Sequence, residues 1–595
     1  MVVFIKKHWI FVICFFIFLL FLARNPFSSR TLIPNFEPYP DAIHYVAPAR
    51  NFVINNQFAI VREGRVMTPR VPPLYSLFLI PFYMINNDAR FFYFGNVFLA
   101  LFSFFLFYLI IKKLTTNNQP FDSSQGKQPI TGYLIIFFSL FLYITNYFNY
   151  WYPTLAMSEN LTIFLFLINI YILIKPLNKI TTIVGGALPF AFFITKYAHT
   201  TLTGVFLLFY AIKLITEIGW KNKKKLKKWA LHFGISVIVT IFLLLYFELI
   251  PGISTLFEYI KILLPKTQGS TQVLNSTGGW FSLIYMEEYL PKYIRALFGG
   301  YSVRFLWDNT PIVPLYIGIP GMLGLILGVF SRKTRLLAVT LLLSLISSVL
   351  FMSTFYSLDM RYLYQVIPAI LIGFVMFWTI LYRKLETLNP KSYSNPKLLK
   401  SKKKPSLEFG ISNLFRVLSL GFKFLLVAFI CFYMATNLIR FKKQIMLNLK
   451  YAERPWYYLS VLKLNDYFKS YPKDKPVPVV ISSLIPYYVD FYSNGNYSLL
   501  PLSLHQEFRN NRVEAWGDFD YADLIKLYYK VLLSGHELYI HNYGLGNEKV
   551  LHDDFKKIQE NFIMTKVSEG CYGACDIWKL KMKWGIDWIY NKKSE

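Results

Sequence analysis

Long apolar blocks separated by short Lys/Arg-rich runs organise this chain. A window of about 19 residues, the length that crosses the hydrocarbon core as a helix, picks out spans at 9–23, 91–111, 131–149, 159–174, 181–195, 200–218, 230–250, 312–330, 336–355, 362–382 and 417–438. The pattern predicts a polytopic all-α membrane protein with about 11 transmembrane helices. With a cytoplasmic N-terminus, the loops at 112–130, 175–180, 219–229, 331–335 and 383–416 fall in the cytoplasm, and all are rich in Lys and Arg, as the positive-inside rule requires. Residues 1–23 read as an uncleaved first span, because Arg24, Asn25 and Pro26 follow where a signal peptide would carry small residues. The expected localisation is therefore the cell membrane, with multiple passes and the C-terminal region extracytoplasmic.

Outside the spans lie a long first loop at 24–90, a second at 251–311, short turns at 150–158 and 356–361, and the C-terminal region. Within the first loop, Pro72–Ile85 is apolar but Pro-interrupted and too short to cross, so it is expected to lie in the membrane interface. Residues 441–595 change texture. Strand patterns at 477–482, 499–502, 537–541, 564–567 and 576–581 alternate with helical ones at 522–533 and 550–562. This alternation predicts a small extracytoplasmic α/β domain with a largely parallel sheet. Its strand ends carry no Gly-rich phosphate fingerprint, so nucleotide binding is not expected there.

Composition sharpens the class. Of 595 residues 55% are hydrophobic, with 57 Phe and 43 Tyr, and only 16% are charged. Blocks of that length exceed what one globular core buries, which excludes a soluble enzyme, a disordered chain and a collagen-like fibre. The formal charge of +30 would suggest nucleic acid in a soluble protein. Here the cations sit in loops between spans, so they report membrane orientation, and no nucleic-acid partner is expected. Four Cys cannot staple a framework of this size. Cys14 and Cys431 fall in spans, where they pack as small apolar residues. Cys571 and Cys575 fall in the turn between the last two strands, on the oxidising side, and form a candidate disulfide.

Ionisable residues at membrane spans are costly and mark candidate chemistry. The first loop carries Asp41-Ala-Ile-His44-Tyr45. If Asp41 opens a helix, Tyr45 lies one turn along the same face, and the carboxylate sits at the positive helix end. Arg70 precedes the rigid run Val71-Pro-Pro-Leu-Tyr75 and stands where a lipid phosphate would lie. Glu159 stands at the outer mouth of the fourth span and Lys196 at the outer end of the fifth. Asp359, Arg361, Tyr362 and Tyr364 precede the tenth. Read singly, Asp41 is also a plain helix cap, each cation an anchor for anionic headgroups, and each Tyr a member of an aromatic belt.

Taken in order, Asp41-Ala-Ile-His-Tyr45, Arg70-Val-Pro-Pro-Leu-Tyr75, Met157-Ser-Glu-Asn160, Ile194-Thr-Lys196 and Arg361-Tyr-Leu-Tyr364 resemble the GT-C superfamily of polyprenyl-phosphate-sugar-dependent glycosyltransferases. The likeness is to bacterial relatives of the protein mannosyltransferases and the aminoarabinose lipid A transferase, and it covers about residues 1–440. It implies a GT-C transmembrane catalytic module and an active site on the outer face. By analogy Asp41 is the general base. Many relatives carry Asp-Glu where Ala42 follows Asp41 here, so the second acid is Glu159 or Glu37. The implied partners are a polyprenyl-phosphate sugar donor, a protein, lipid or glycan acceptor, and membrane lipids.

The chemistry needs few parts. A carboxylate deprotonates the acceptor hydroxyl, and cations stabilise the departing phosphate where water is excluded. Direct attack on the anomeric carbon inverts it. Arg70, Lys196 and Arg361 are the candidate phosphate clamp, and His44, Tyr45, Tyr75, Tyr362 and Tyr364 candidates for the substrate pocket. Some GT-C enzymes use a divalent cation, but the sequence shows no ligand cluster, and no cofactor is assigned. A transporter or flippase, which should show internal repeats and helices broken at mid-membrane, and a glycan polymerase or ligase of the cell envelope are the alternatives.

Overall fold

The computed structural model describes residues 2–23, 41–116, 130–249, 281–387 and 421–583, less short stretches at 63–64, 70, 147–148, 151, 220, 299–301, 306–307, 312, 356–357, 359, 422–423, 440, 443–444, 446–455, 483–490, 492, 494, 503–504, 510–511, 516–520, 543–548 and 571–574. Along the chain, α1 (Val2–Leu22) is followed by α2 (Asp41–Asn55), the hairpin β1 (Ile60–Arg62) and β2 (Arg65–Met67), α3 (Leu74–Ile85), α4 (Phe92–Thr116) and α5 (Ile130–Thr145). Then come α6 (Glu159–Ile174), α7 (Lys179–Ala187), α8 (Phe190–Thr195), α9 (Thr200–Ile218), α10 (Lys223–Leu249) and α11 (Ile284–Leu297). A second hairpin, β3 (Ser302–Phe305) and β4 (Asp308–Pro311), leads to α12 (Leu315–Phe330), α13 (Arg335–Ser353), α14 (Ile367–Thr387) and α15 (Phe424–Ile439). The C-terminal region contains α16 (Trp456–Phe468), β5 (Val479–Ser482), β6 (Ser498–Pro501), the hairpin β7 (His505–Arg509) and β8 (Arg512–Ala515), α17 (Tyr521–Leu533), β9 (Leu538–His541), α18 (Lys549–Asn561), β10 (Phe562–Ser568) and β11 (Ile577–Met582).

The chain divides into two compact units. One comprises Met1–Asn25, Phe92–Tyr246 and Phe281–Tyr451; the other comprises Pro26–Phe91, Phe247–Trp280 and Ala452–Glu595. The second unit therefore joins the long first loop to the C-terminal region.

Among the described residues of the first unit, five helical stretches are long and apolar enough to cross a membrane: Phe92–Thr115, Tyr197–Ile218, Lys223–Tyr246, Arg335–Ser353 and Tyr362–Lys384. The other predicted spans are shorter apolar helices within His8–Leu22, Gly132–Thr145, Glu159–Ile174, Lys179–Thr195, Leu315–Phe330 and Phe424–Ile439. Among the described residues the remaining predicted spans differ from these five in length: α6 and α12, for instance, run only 16 residues. The protein is a multi-pass membrane protein. Many apolar side chains on these helices, such as Leu231, Ile235, Ile238, Phe242 and Leu245 of α10, are exposed, as lipid-facing residues are.

Aromatic rings fill the interior of this unit. Phe11 stacks on Phe104 at 5.3 Å and Phe107 on Tyr143 at 4.5 Å, while Phe138 meets Phe374 edge-on at 5.6 Å. Both offset-stacked and edge-on pairs add to area burial, which gives the abundance of Phe a structural use. At the C-terminal end of α6, where carbonyls lack intrahelical partners, Lys213 of α9 donates to Leu173 O at 2.7 Å and to Lys175 O. Lys113 of α4 donates to Ile174 O. Lys213 is 1% exposed, and Glu217 one turn along lies 3.6 Å from its ammonium.

A glycine seam joins α12 to α14. A Cβ at Gly324 would stand 1.8 Å from Gly373 O, and one at Gly373 would stand 2.2 Å from Gly321 O. Small residues at a helix interface let backbones approach in this way where no hydrophobic effect drives association. Gly324→Ala must push two backbones apart, and is expected to cost about 1–3 kcal/mol. Thermal unfolding in detergent checks this against Gly204→Ala, whose Cβ would meet nothing within 4 Å.

The second unit contains a five-stranded sheet in the order β10-β11-β9-β5-β6. The strands and helices lie close to where the sequence pattern puts them, but the sheet is mixed. β5 runs parallel to β6 and β9, whereas β11 is antiparallel to both β9 and β10. The expectation of a largely parallel sheet is thus corrected: the connection at 569–576 from β10 to β11 is shorter than the dozen or so residues a crossover needs, so the chain returns directly. Side chains alternate between two cores. Val479, Ile481, Leu538 and Ile540 face Leu524, Tyr528 and Tyr529 of α17 and Ile558 of α18, while Val480 and Tyr539 face Val461, Leu464 and Phe468 of α16. Helices on both faces explain why β5 and β9 are buried throughout.

At the end of β9, burial holds the fully enclosed His541 imidazole at about 3 against a usual 6.5, with Asp576 opposing only in part. At the start of β9, burial works against the Glu537 carboxylate. Hydrogen bonds from Lys579 and Tyr539 and the charges of Lys579 and Lys475 outweigh it and hold the group at about 2. Both folded values are depressed, so both contributions are complete at neutral pH. The histidine term is lost as pH falls from 6.5 toward 3, and the carboxylate term from 4.5 toward 2. Acidification below about pH 6.5 is expected to destabilise this unit by up to about 1.4 kcal/mol per pH unit for each of the two groups. Pulse proteolysis of the full chain across this range reads the effect, and His541→Gln is expected to flatten its upper part.

Candidate active site

In the first unit, three 3-10 turns interrupt the helices: Tyr152–Thr154, Tyr197–His199 and Met360–Val366. Asn160, near the start of α6, donates its side-chain amide to Tyr152 O at 2.9 Å and so ties the first turn to the helix carrying Glu159. Lys196 occupies the extended break between α8 and the second turn (φ −160°, ψ 119°). From there its ammonium donates to Glu159 Oε1 at 2.6 Å. The carboxylate is 1% exposed and the ammonium-bearing chain 14%. The Tyr362 ring of the third turn lies 4.7 Å from the same ammonium, within cation–π range. Tyr364 stacks on Tyr152 at 4.4 Å, and Gln365 donates its amide to Tyr362 O.

The structure thus brings together Glu159, Lys196 and Tyr362, with Tyr364 on the neighbouring stack. Such a pair balances its own charge, and low dielectric strengthens it. Three buried polar atoms here, Glu159 Oε2, His199 Nε2 and Gln365 Oε1, have no hydrogen-bond partner among the described residues. Buried polar atoms in native proteins are nearly always satisfied by protein, water or ligand. His199 and Gln365 are absent from the sequence-based candidates. For His199 the run Ile-Thr-Lys196-Tyr-Ala-His199 was the available signal; for Gln365 there was none beyond its place after Tyr364.

In the second unit, Asp41 is the first described residue of α2. Tyr45 meets Tyr75 of α3 edge-on at 5.3 Å, both rings being buried, and His44 is half-buried. Asn51 donates to Ala59 O at 2.9 Å, pinning the far end of α2 to the start of β1. Arg50 places its guanidinium 3.7 Å above the Phe491 ring and donates to Phe491 O. Neither contact was legible in sequence.

Glu37, Arg70, Asp359 and Cys571 lie outside the described residues, as do the side chains of Asp41 and Arg361. Cys575 is disulfide-bonded, whereas Cys14 and Cys431 are free. Among the described residues, no group of three or more His, Cys, Asp or Glu side chains is placed to hold a metal ion.

The apolar helices of the first unit define a multi-pass membrane protein, and its second unit, formed from the first loop and the C-terminal region, contains the α/β sheet. No protein-family profile and no curated protein sequence matches the chain. Among solved structures, it is similar to ArnT from Cupriavidus metallidurans bound to undecaprenyl phosphate, with TM-score 0.53 and 12% identity, over 97% of this chain and 98% of that one. The apo state of the same ArnT gives the same values, 0.53 and 12%. An archaeal oligosaccharyltransferase, AglB from Archaeoglobus fulgidus in complex with an inhibitory peptide and a dolichol-phosphate, is 10% identical with TM-score 0.42, over 90% of this chain and 70% of that one.

Proposed function

We propose that this protein is a membrane glycosyltransferase. It moves a sugar from a polyprenyl-phosphate-linked donor to a hydroxyl acceptor on the outer face of the membrane, with Asp41 as general base and inversion at the anomeric carbon. The observation that carries the reading is the likeness of fold, over nearly the whole of both chains, to an ArnT that binds undecaprenyl phosphate. The five long apolar helices supply the membrane setting that such a donor requires.

In this mechanism Asp41, at the start of α2, accepts the proton of the acceptor hydroxyl. The acceptor oxygen bonds to the anomeric carbon as the bond from that carbon to the phosphate oxygen breaks, and the lipid phosphate departs. Lys196 offers the phosphate the N–H donors that Glu159 leaves unused. Glu159 serves as the carboxylate that fixes Lys196 in place. Arg70 and Arg361 are the further cations of the clamp. The unpartnered Glu159 Oε2, His199 Nε2 and Gln365 Oε1 suit the hydroxyls of a sugar held beside that phosphate.

The test is incubation of the purified protein in lipid with a panel of polyprenyl-phosphate sugars and candidate acceptors, followed by mass spectrometry of the products. Transfer from at least one donor is expected. No transfer from any of them, in protein that remains folded, overturns the reading.

A further inference from the structure

Arg50 makes an unusual double contact. Its guanidinium lies over one face of the Phe491 ring at 3.7 Å and also donates to the carbonyl oxygen of that same residue. One side chain therefore grips both the ring and the backbone of a single residue more than four hundred positions away in sequence. Phe491 is itself buried, at 4% exposure. Just beyond it, Asn496 N donates to Ser493 O at 2.9 Å, and Gly495 takes a positive φ of 77° to complete the turn into β6. Tyr497, at the end of that turn, is bonded to Asn465 of α16 at 2.9 Å and packs on Phe468 at 5.1 Å. Phe491 is thus connected by a short stretch of chain to the core of the C-terminal sheet.

At its other end the contact belongs to α2, the helix that begins at Asp41. Asn51 beside Arg50 pins the helix to the start of β1. Pro48 stands inside α2 and removes one backbone donor. A helix of 15 residues with an internal proline is marginal by itself, so its placement depends on such external contacts.

We propose that Arg50 and Phe491 form a latch through which the C-terminal α/β region positions α2. Arg50 is a positioning residue, and the C-terminal region is required for turnover because it holds the helix from which Asp41 acts. The mechanical part of this inference stands on the contact alone; its effect on turnover rests on the role proposed for Asp41.

The experiment uses the full chain in lipid nanodiscs and compares wild type with Arg50→Met, Phe491→Leu and Arg50→Lys. Hydrogen exchange measured by mass spectrometry follows α2 and β9 separately. In Arg50→Met, protection of α2 is expected to fall by about tenfold or more while β9 keeps its protection. Phe491→Leu, which retains the carbonyl acceptor, is expected to fall between that variant and wild type. For transfer, kcat is expected to drop by about tenfold or more with donor KM within about twofold, because misplacement of a catalytic group acts on the chemical step. Arg50→Lys keeps a cation over the ring and is expected to recover part of both losses. Unchanged α2 protection in Arg50→Met overturns the latch, and so does a loss shared equally by β9, which would mark general unfolding. If wild type transfers from no donor while Arg50→Met still loosens α2 alone, the latch stands and the glycosyltransferase reading falls.

Discussion

Asp41→Asn is expected to lower sugar transfer by about 10²- to 10⁴-fold, the range typical of a lost general base, while expression and folding are retained. The substitution is chosen for what it preserves. Asn is as good as Asp at a helix start, so α2 keeps its N-terminal signal and its shape. Only the capacity to take a proton at pH 7 is removed. A truncation to Ala would mix loss of chemistry with loss of the helix end and would be harder to read. The check is the rate of product formation at saturating donor and acceptor, beside the thermal unfolding midpoint. Wild-type turnover in this variant removes Asp41 from the mechanism. A loss of turnover accompanied by a lowered midpoint would identify Asp41 as a structural residue instead.

Lys196→Met is the second substitution with a large expected effect, and it acts on two observables. Glu159 is 1% exposed, and its bond from Lys196 is 2.6 Å long. Removing one partner of a buried pair strands the other, typically at a cost of about 3–5 kcal/mol. The same change removes a proposed phosphate contact, so KM for the lipid donor is expected to rise more than KM for the acceptor. The double variant Glu159→Gln/Lys196→Met separates the two effects. It removes the stranded charge, so stability is expected to return in large part, whereas donor use is not. If Lys196→Met leaves stability unchanged, the pair is not the buried unit seen here. If donor and acceptor KM move equally, Lys196 does not belong to the phosphate clamp.

Much of the helical unit was legible because lipid imposes a simple rule: apolar length is helix. The predicted span 159–174 coincides with α6 (Glu159–Ile174). The predicted span 181–195 is divided into α7 and α8 at Leu188 and Pro189, which keep helical dihedrals while the proline supplies no backbone donor. In the C-terminal region the strands were legible from alternation, whereas their order and direction were not. Periodicity records which residues face a core, but not which strand lies beside which, and the central position of β9 between β5 and β11 follows from connections that no local pattern carries.

The site was legible in part, for the same kind of reason. Glu159 and Lys196 were each suspect as ionisable residues at span ends, yet nothing in a separation of 37 positions announces that they bond to each other. His199, Gln365 and Arg50 were not singled out, since a buried polar residue is recognised by its neighbours and not by its spacing. The glycines of α12 read simply as part of an apolar run, and their role appears only where the backbone of α14 comes against them.

The lysines gathered around α6 have a mechanical meaning. At one end Lys196 holds the carboxylate of its first residue, and at the other Lys213 and Lys113 hold its last carbonyls. The rod is bolted top and bottom to different neighbours, and sliding it by a single residue along its own axis would shear all of these fastenings at once. The helix is therefore expected to stay fixed against these neighbours, a stationary post in the first unit.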